Sequence, residues 1–390
     1  GDKMRRNSSR RTVVQLLLNV CVAATAFASP PDWFQRAAKE PLPAYPDTIP
    51  AVMLRNEQIV NIKNNGEITT INRIVYKILR AEGRKYGDIT IYFDSETRIT
   101  SLKAWSIPPT GNSYDLGEKE FAETIPFTDN LYEDTKRKVL RIPASVPGAV
   151  IGYEYEQRSR PSILQDAWVF QEDVPVRQAR LQMNLPPGWE YREVWANYVA
   201  VAPKSTSNNQ WTWDLNEIPA VAEERGALPT LSRSGQLLLS YIRPGGAGDF
   251  KSWSDVGTWY QGLVIDRRQA TPELKQKALE LTAAAATTSE KIRTLASFVQ
   301  KEIRYVAIEI GIGGFQPHPA ADIFRNRYGD CKDKVTLLSS MLNEIGIGSY
   351  YVLINTHRGI VRPEFASPLR FNHAIIAIRV PDDPRNAELR

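Results

Sequence analysis

Sulfur and imidazole are scarce in this chain: its 390 residues hold two cysteines, three histidines and four methionines. No Cys-x-x-Cys or His-x-x-x-His pair exists, so a zinc site built from Cys331 and the histidines is disfavoured, and neither metal nor cofactor is expected. A disulfide framework is excluded by the same count. No apolar run reaches the roughly 20 residues a membrane-spanning helix needs, since Gln15 and Asn19 interrupt the longest one. There is no internal repeat, and no phosphate-cradling loop: Gly311-Ile312-Gly313-Gly314 runs into Phe315-Gln316-Pro317 and not into Lys-Ser/Thr, so it reads as a glycine-dense turn.

What is present begins with an address. Arg5, Arg6, Arg10 and Arg11 precede the apolar stretch Val13 to Phe27, and Ala26-Phe27-Ala28 has the small-x-small form of a signal-peptidase site. Residues 1–28 are therefore expected to be a cleaved signal peptide, with the protein exported to the periplasm or outside the cell. Lipidation of Cys21 is disfavoured because Val20 stands where a small residue is needed. Cleavage removes five basic residues and one acid, which takes the formal charge from +5 to +1. The mature chain thus lacks the positive field of a nucleic-acid binder, and no stable membrane insertion is expected.

Two folded units fit the length. Residues 29–50 carry six prolines and read as an extended lead-in. From 51 to 218 short β-branched and aromatic runs alternate with turn signals, among them Asn64-Asn65-Gly66 between two strand-like segments, and this spacing predicts an antiparallel, β-sandwich-like domain. Prolines and glycines make 219–250 a linker. Helical periodicity then takes over at Trp253–Val264, Pro272–Ala285 and Ser289–Ile303, the last with Ser289 as its expected cap, opening an α+β domain over 251–390. The tryptophans of the first domain, such as Trp105, Trp168, Trp189 and Trp195, are expected mostly in its core.

Signal cleavage leaves Cys331 as the only thiol in an oxidising compartment. It opens a helix: Asp330 is a fitting N-cap, Asp333 completes a capping box, and Val335, Leu338, Leu342 and Ile345 form an apolar stripe that ends at Gly346. Counting back by four puts Cys331 on the packed side. The helix dipole, with Lys332 and Lys334 adding positive charge and Asp330 and Asp333 opposing it, is expected to activate the thiol in part, and the free amides of the first turn could hold an oxyanion. The bland alternative is a small hydrophobe sealing the helix start. A base must come from three histidines. His318, between prolines, and His357, before Arg358-Gly359, read as loop residues, whereas His373 begins an apolar strand whose even positions Ala374, Ile376 and Ile378 form the core face.

The string Tyr328-Gly329-Asp330-Cys331-Lys332-Asp333-Lys334, a leucine-rich helix, Gly346-Ile347, a strand and Phe371-Asn372-His373-Ala374 together resemble the transglutaminase-like core of bacterial proteins, in which a β-rich domain precedes the core. Ile303-Arg304-Tyr305-Val306 and Gly313 to Pro317 fit the same likeness. It implies a papain-like α+β fold, Cys331 as nucleophile, His373 as base, and an orienting Asp one strand later. Asp382 and Asp383 sit in the turn after the His373 strand, so that acid, and with it the end of the domain, is expected past Arg390. Gln316 is a candidate oxyanion donor by analogy with papain-like enzymes. The expected function is acyl transfer through a thioester on protein or peptide amides, with hydrolysis slightly favoured over transfer to an amine. The alternative is a catalytically inactive cell-envelope binding or scaffold protein.

Overall fold

The computed structural model describes residues 30–126, 131–207, 209–222, 224–246 and 249–380. The signal-peptide reading of 1–28, Cys21, Asp382 and Asp383 fall outside them. Among the described residues no helix is long and apolar enough to cross a membrane.

The lead-in is not extended throughout. Pro31 caps helix α1 (Asp32–Ala38), a position where a missing N–H costs nothing, and Phe34 and Ala37 are fully buried. Strands β1 (Ala51–Ile62) and β2 (Ile68–Ile78) form the hairpin foreseen around Gly66. Next come β3 (Asp88–Phe93), β4 (Thr97–Ile107), β5 (Tyr114–Leu116), β6 (Ala122–Thr124), β7 (Leu131–Glu133) and β8 (Lys136–Arg141). The domain continues with β9 (Val150–Ser159), β10 (Gln165–Val169), β11 (Val176–Asn184), β12 (Glu190–Ala196), β13 (Lys204–Ser207) and β14 (Gln210–Ile218). Eight of these make one sheet in the order β13-β14-β11-β1-β2-β9-β4-β5. Its pairings are antiparallel except β1 with β11. Two three-stranded sheets, β3-β8-β6 and one built on β10 and β12, complete the sandwich-like core. The run Ala51–Leu54 is buried on both faces: Ala51 and Met53 face this core, while Val52 and Leu54 face Phe34 of α1. A methyl group at Gly152 would lie 2.6 Å from the Phe34 ring and from the Ile74 carbonyl, so glycine there lets α1 close on the sheet.

Residues 219–250, expected as a linker, hold a short helix α2 (Thr230–Arg233) and β15 (Gln236–Ile242), the central strand between β10 and β12. Leu237, Leu238 and Leu239 are buried on both sides of it. The flanking glycines and prolines mark its ends and concealed a fully covered strand, whose signal is a continuous apolar run instead of alternation.

In the second domain α3 (Trp253–Val264), α4 (Pro272–Thr282) and α5 (Thr288–Glu302) follow. The cap of α5 is Thr287, closing a capping box with Glu290, and not Ser289. The short strands β16 (Arg304–Tyr305) and β17 (Ala307–Glu309), helix α6 (Ala320–Asn326) and β18 (Tyr328–Gly329) lead into α7 (Cys331–Glu344). A hairpin of β19 (Ser349–Ile354) and β20 (His373–Ile378) ends the described chain. Helix α7 is the hub. Leu337, Met341 and Leu342 have no exposed surface and pack against Leu274, Leu295, Val299 and Ile323 of the other helices, while Ile376 and Ile378 of β20 close the far side. That enclosure goes beyond the single stripe expected of an amphipathic helix.

Candidate functional site

The helix-start geometry of Cys331 follows from its neighbours. Asp330 accepts the Asp333 amide at 3.1 Å, and Asp333 accepts the Asp330 amide at 3.2 Å, the reciprocal box expected from the sequence. Gly329 makes room for it, because a methyl group there would meet the Asp333 Cβ at 2.5 Å. Asp333 also accepts the His318 amide at 2.8 Å, with the His318 Nδ1 3.1 Å from its other oxygen, so His318 secures the loop ahead of α6 to the start of α7. His357 lies exposed in a loop after β19.

Cys331 and His373, far apart in sequence, line one cleft of about 280 Å³ together with Glu309, Lys332 and the rings of Trp259 and Phe371. The Ala374 amide, next along the chain from His373, and the Lys332 amide lie near enough to Cys331 to favour its thiolate. Gln316 does not line this cleft; its amide donates to the Leu263 carbonyl at 3.2 Å and ties the glycine-dense turn to the end of α3. Among the described residues no group of three or more His, Cys, Asp or Glu is placed to hold a metal ion.

The electrostatics differ from those the sequence implied. Burial pushes the Cys331 thiol above the ordinary cysteine range; the Ala374 amide and Lys332 pull it down, and Asp330 adds to the rise. Helix dipole and flanking lysines had pointed to a partly activated thiol, but desolvation, which local sequence does not report, outweighs them. Lys332 is not a solvated charge: it is 4% exposed, bonded to Asp330 and 4.0 Å from Glu309. Asp330, 1% exposed, is itself raised by burial, with Lys332 opposing. Alkylation of Cys331 by iodoacetamide is therefore expected to be slow at pH 7 and to climb until the pH passes the value of a free cysteine, about 8.5. A rate profile that levels off below pH 8 would show the opposite shift.

Two contributors were not singled out as site residues from the sequence. The Tyr305 phenol, half exposed at the edge of the site, is pushed up to about 12, first by partial desolvation and then by the charges of Cys331 and Asp330, which lie near it. The first domain also reaches the site: β7 pairs in parallel with β17, setting Glu133 opposite Glu309, and Ile163 packs in one cluster with Trp259, Phe315 and Phe371. Such contacts join residues roughly a hundred or more positions apart and leave no local pattern to read.

Residues 64–222 match DUF3857, a domain of unknown function with a solved structure, and residues 275–379 match the transglutaminase-like superfamily. The structure of a candidate protease from Parabacteroides distasonis aligns over 85% of this chain at 17% identity, with a TM-score of 0.69. The chain spans 65% of the length of that protein, and the likeness is one of fold. A candidate cysteine protease from Cytophaga hutchinsonii aligns over 81% of this chain and 74% of its own at 11% identity, with a TM-score of 0.24. An M1 zinc metallopeptidase from Deinococcus radiodurans aligns over 49% of this chain and 42% of its own at 8% identity, with a TM-score of 0.25. No curated protein matches the chain.

Proposed function

From a chain whose residues 275–379 belong to the transglutaminase-like superfamily, behind a DUF3857 domain, we propose an exported cysteine-nucleophile enzyme that cleaves or transfers amide-bonded acyl groups. The observation that carries this reading is the shared cleft, lined both by Cys331, the first residue of a capped helix, and by His373, the first residue of a strand. In the proposed step the thiol proton passes to the His373 imidazole as sulfur adds to the amide carbonyl. The tetrahedral adduct collapses with loss of the C–N bond, and the imidazolium returns the proton to the leaving amine. The resulting Cys331 thioester is then taken up by water or by an amine. A thiol that burial keeps protonated suits this order, in which deprotonation accompanies attack. Gln316 has no part in it, and the amides of the first turn of α7 are the better oxyanion donors. Export rests on the pattern of residues 1–28 alone.

The test is to mix the protein with an N-acetylated dipeptide p-nitrophenyl ester and weigh the intact chain. A mass gain equal to the acyl group, located on Cys331 and absent in Cys331→Ala, is expected; its decay in water against its decay in added butylamine reports hydrolysis against transfer. The rival, an inactive cell-envelope scaffold, draws on the raised thiol. No adduct at Cys331 under any pH from 6 to 9 would decide for it.

A further inference from the structure

Residues 355–372 join β19 to β20 and lie against the first domain. Connections longer than roughly 12–15 residues are uncommon unless something holds them, and here the holder is visible. Phe365, 2% exposed, packs in one cluster with Leu238, Ala196, Ala167 and Val194. These four come from all three strands of the β10-β15-β12 sheet. Ala167 and Val194 are the register partners of Leu238 on its two sides, so the three form a row across the sheet. Leu237 and Leu239 belong to the sandwich core, which puts this row on the opposite face. The small side chains of Ala167 and Ala196 leave room there for a ring. Strand β15 is buried on both sides because the sandwich covers one face and the Phe365 loop the other.

Polar groups fix the loop on either side of Phe365. Ser232 donates to the Arg358 carbonyl at 2.7 Å, Arg362 donates back to the Ser232 carbonyl at 2.6 Å, and Gln165 donates to the Ala366 carbonyl at 3.0 Å. From Phe365 the restraint continues without a gap to the cleft. Ala366 is buried with Ile163 and Val256. The turn Pro368–Arg370 follows, closed by the Phe371 amide on the Pro368 carbonyl at 3.3 Å. The Phe371 ring meets Trp253 in a T-shaped contact at 5.6 Å, and Asn372 exchanges hydrogen bonds of 2.9 and 3.0 Å with Thr356 across the loop mouth. His373 is next. It forms the last pair of the β19–β20 ladder, opposite Ile354, at the end of a two-stranded ribbon that frays unless something holds it.

We infer that Phe365 is a positioning residue: seated on the first domain's sheet, it holds the loop so that His373 stays in the cleft it shares with Cys331. This rests on the proposed acyl-transfer reading and gives the first domain a part in it. The same domain steadies a second lining residue, since β7 pairs with β17, which carries Glu309. Two segments that line the cleft are thus tied to the first domain, and the cleft is complete only with that domain in place. Misplacing a base by about 1 Å is enough to cost on the order of 10²-fold in rate, so a loop held loosely would not serve.

The test compares Phe365→Ala and Phe365→Leu with the wild-type chain by amide exchange along β20 and by amide hydrolysis. Arg379 donates to the Gly348 carbonyl at 2.8 Å, so the alternation of an antiparallel ladder gives the amides of Ala377, Ile375 and His373 to β19 as well. In Phe365→Ala the His373 amide is expected to exchange about tenfold faster or more, while that of Ala377, between two residues packed on the α7 core, is unchanged. The kcat is expected to fall by about tenfold or more with KM within about twofold. Phe365→Leu, which restores most of the volume, should bring both readouts back to within about threefold of wild type. A contact that merely joined the domains would lower the thermal midpoint without separating His373 from Ala377 or kcat from KM. An unchanged His373 amide in folded Phe365→Ala overturns the inference, as does equal quickening of His373 and Ala377, or a quickened His373 with kcat unchanged. Should Phe365→Ala fail to fold, Gln165→Leu, which frees the Ala366 carbonyl without opening a cavity, is judged on the same two amides. A wild type that forms no Cys331 adduct removes the acyl-transfer reading, and the exchange result still decides whether Phe365 holds His373 in place.

Discussion

His373→Ala is expected to lower kcat/KM for amide cleavage by about 10²–10⁴-fold, the range a positioned general base contributes, while the denaturation midpoint moves little. The residue is half-buried at the first position of β20, where its loss removes one packing contact at the mouth of a cleft and no member of the α7 core. Two companions give the result its meaning. His357→Ala, in an exposed loop, is expected to keep wild-type turnover. Activity of His373→Ala towards an activated ester, whose leaving group needs no proton, is expected to fall by less than its activity towards an amide. Added imidazole should restore part of the lost rate by filling the vacated space. Equal activity of His373→Ala and wild type on an amide would remove His373 from the mechanism, and with it the reason for reading Cys331 as more than a buried thiol. The burial-driven upward push on Cys331 makes this test sharper. A thiol held neutral depends on its base, whereas a pre-formed thiolate would attack without one.

The parts of this site that were legible in the sequence are those fixed by nearest neighbours. Asp330 and Asp333 stand three apart at the head of a periodic segment, and the capping box follows from that spacing alone. Gly346, with φ +74, ends α7 where the apolar stripe ran out, and Ala374, Ile376 and Ile378 take the inner face of β20 because a strand alternates. What stayed hidden depends on the third dimension. Lys332 looks like a solvated cation until β17 brings Glu309 beside it. Tyr305 sits in a two-residue strand too short to carry a pattern, and reaches Cys331 only because β16 pairs with β18. Gln316 is an amide beside a proline in the sequence; in the fold its donor goes to Leu263. Strand β15 lost its signal to flanking prolines and glycines, although its three consecutive leucines are as buried as any residues in the protein. The sign of the Cys331 shift is the clearest case, since neighbouring charges can be read from the sequence and the larger desolvation effect cannot.

Lys332→Met is expected to cost about 3–5 kcal/mol of folding stability, the loss that follows when one member of a buried ion pair is removed. The ammonium is enclosed, bonded to Asp330 and within 4.0 Å of Glu309, so its removal strands the Asp330 carboxylate at 1% exposure with Asp333 as its near neighbour. Methionine keeps most of the stem volume, which makes the cost electrostatic more than steric. Acid should reveal this. Asp330 is already raised by burial, with Lys332 holding it down, so in the variant it rises further. A carboxyl whose folded value exceeds its unfolded value takes up a proton in the fold first, and stability then increases as pH falls from 7 towards the ordinary carboxylate range. That gain is expected to be larger in Lys332→Met than in wild type. The double variant Lys332→Met/Asp330→Asn, which removes both charges and keeps a side chain able to cap α7, is expected to recover most of the lost stability. Urea midpoints for the three proteins at pH 5 and pH 7 check all of this. A single variant within about 1 kcal/mol of wild type would place Lys332 among ordinary surface pairs and leave the walls of the Cys331 cleft without a buried charge for Lys332 to balance.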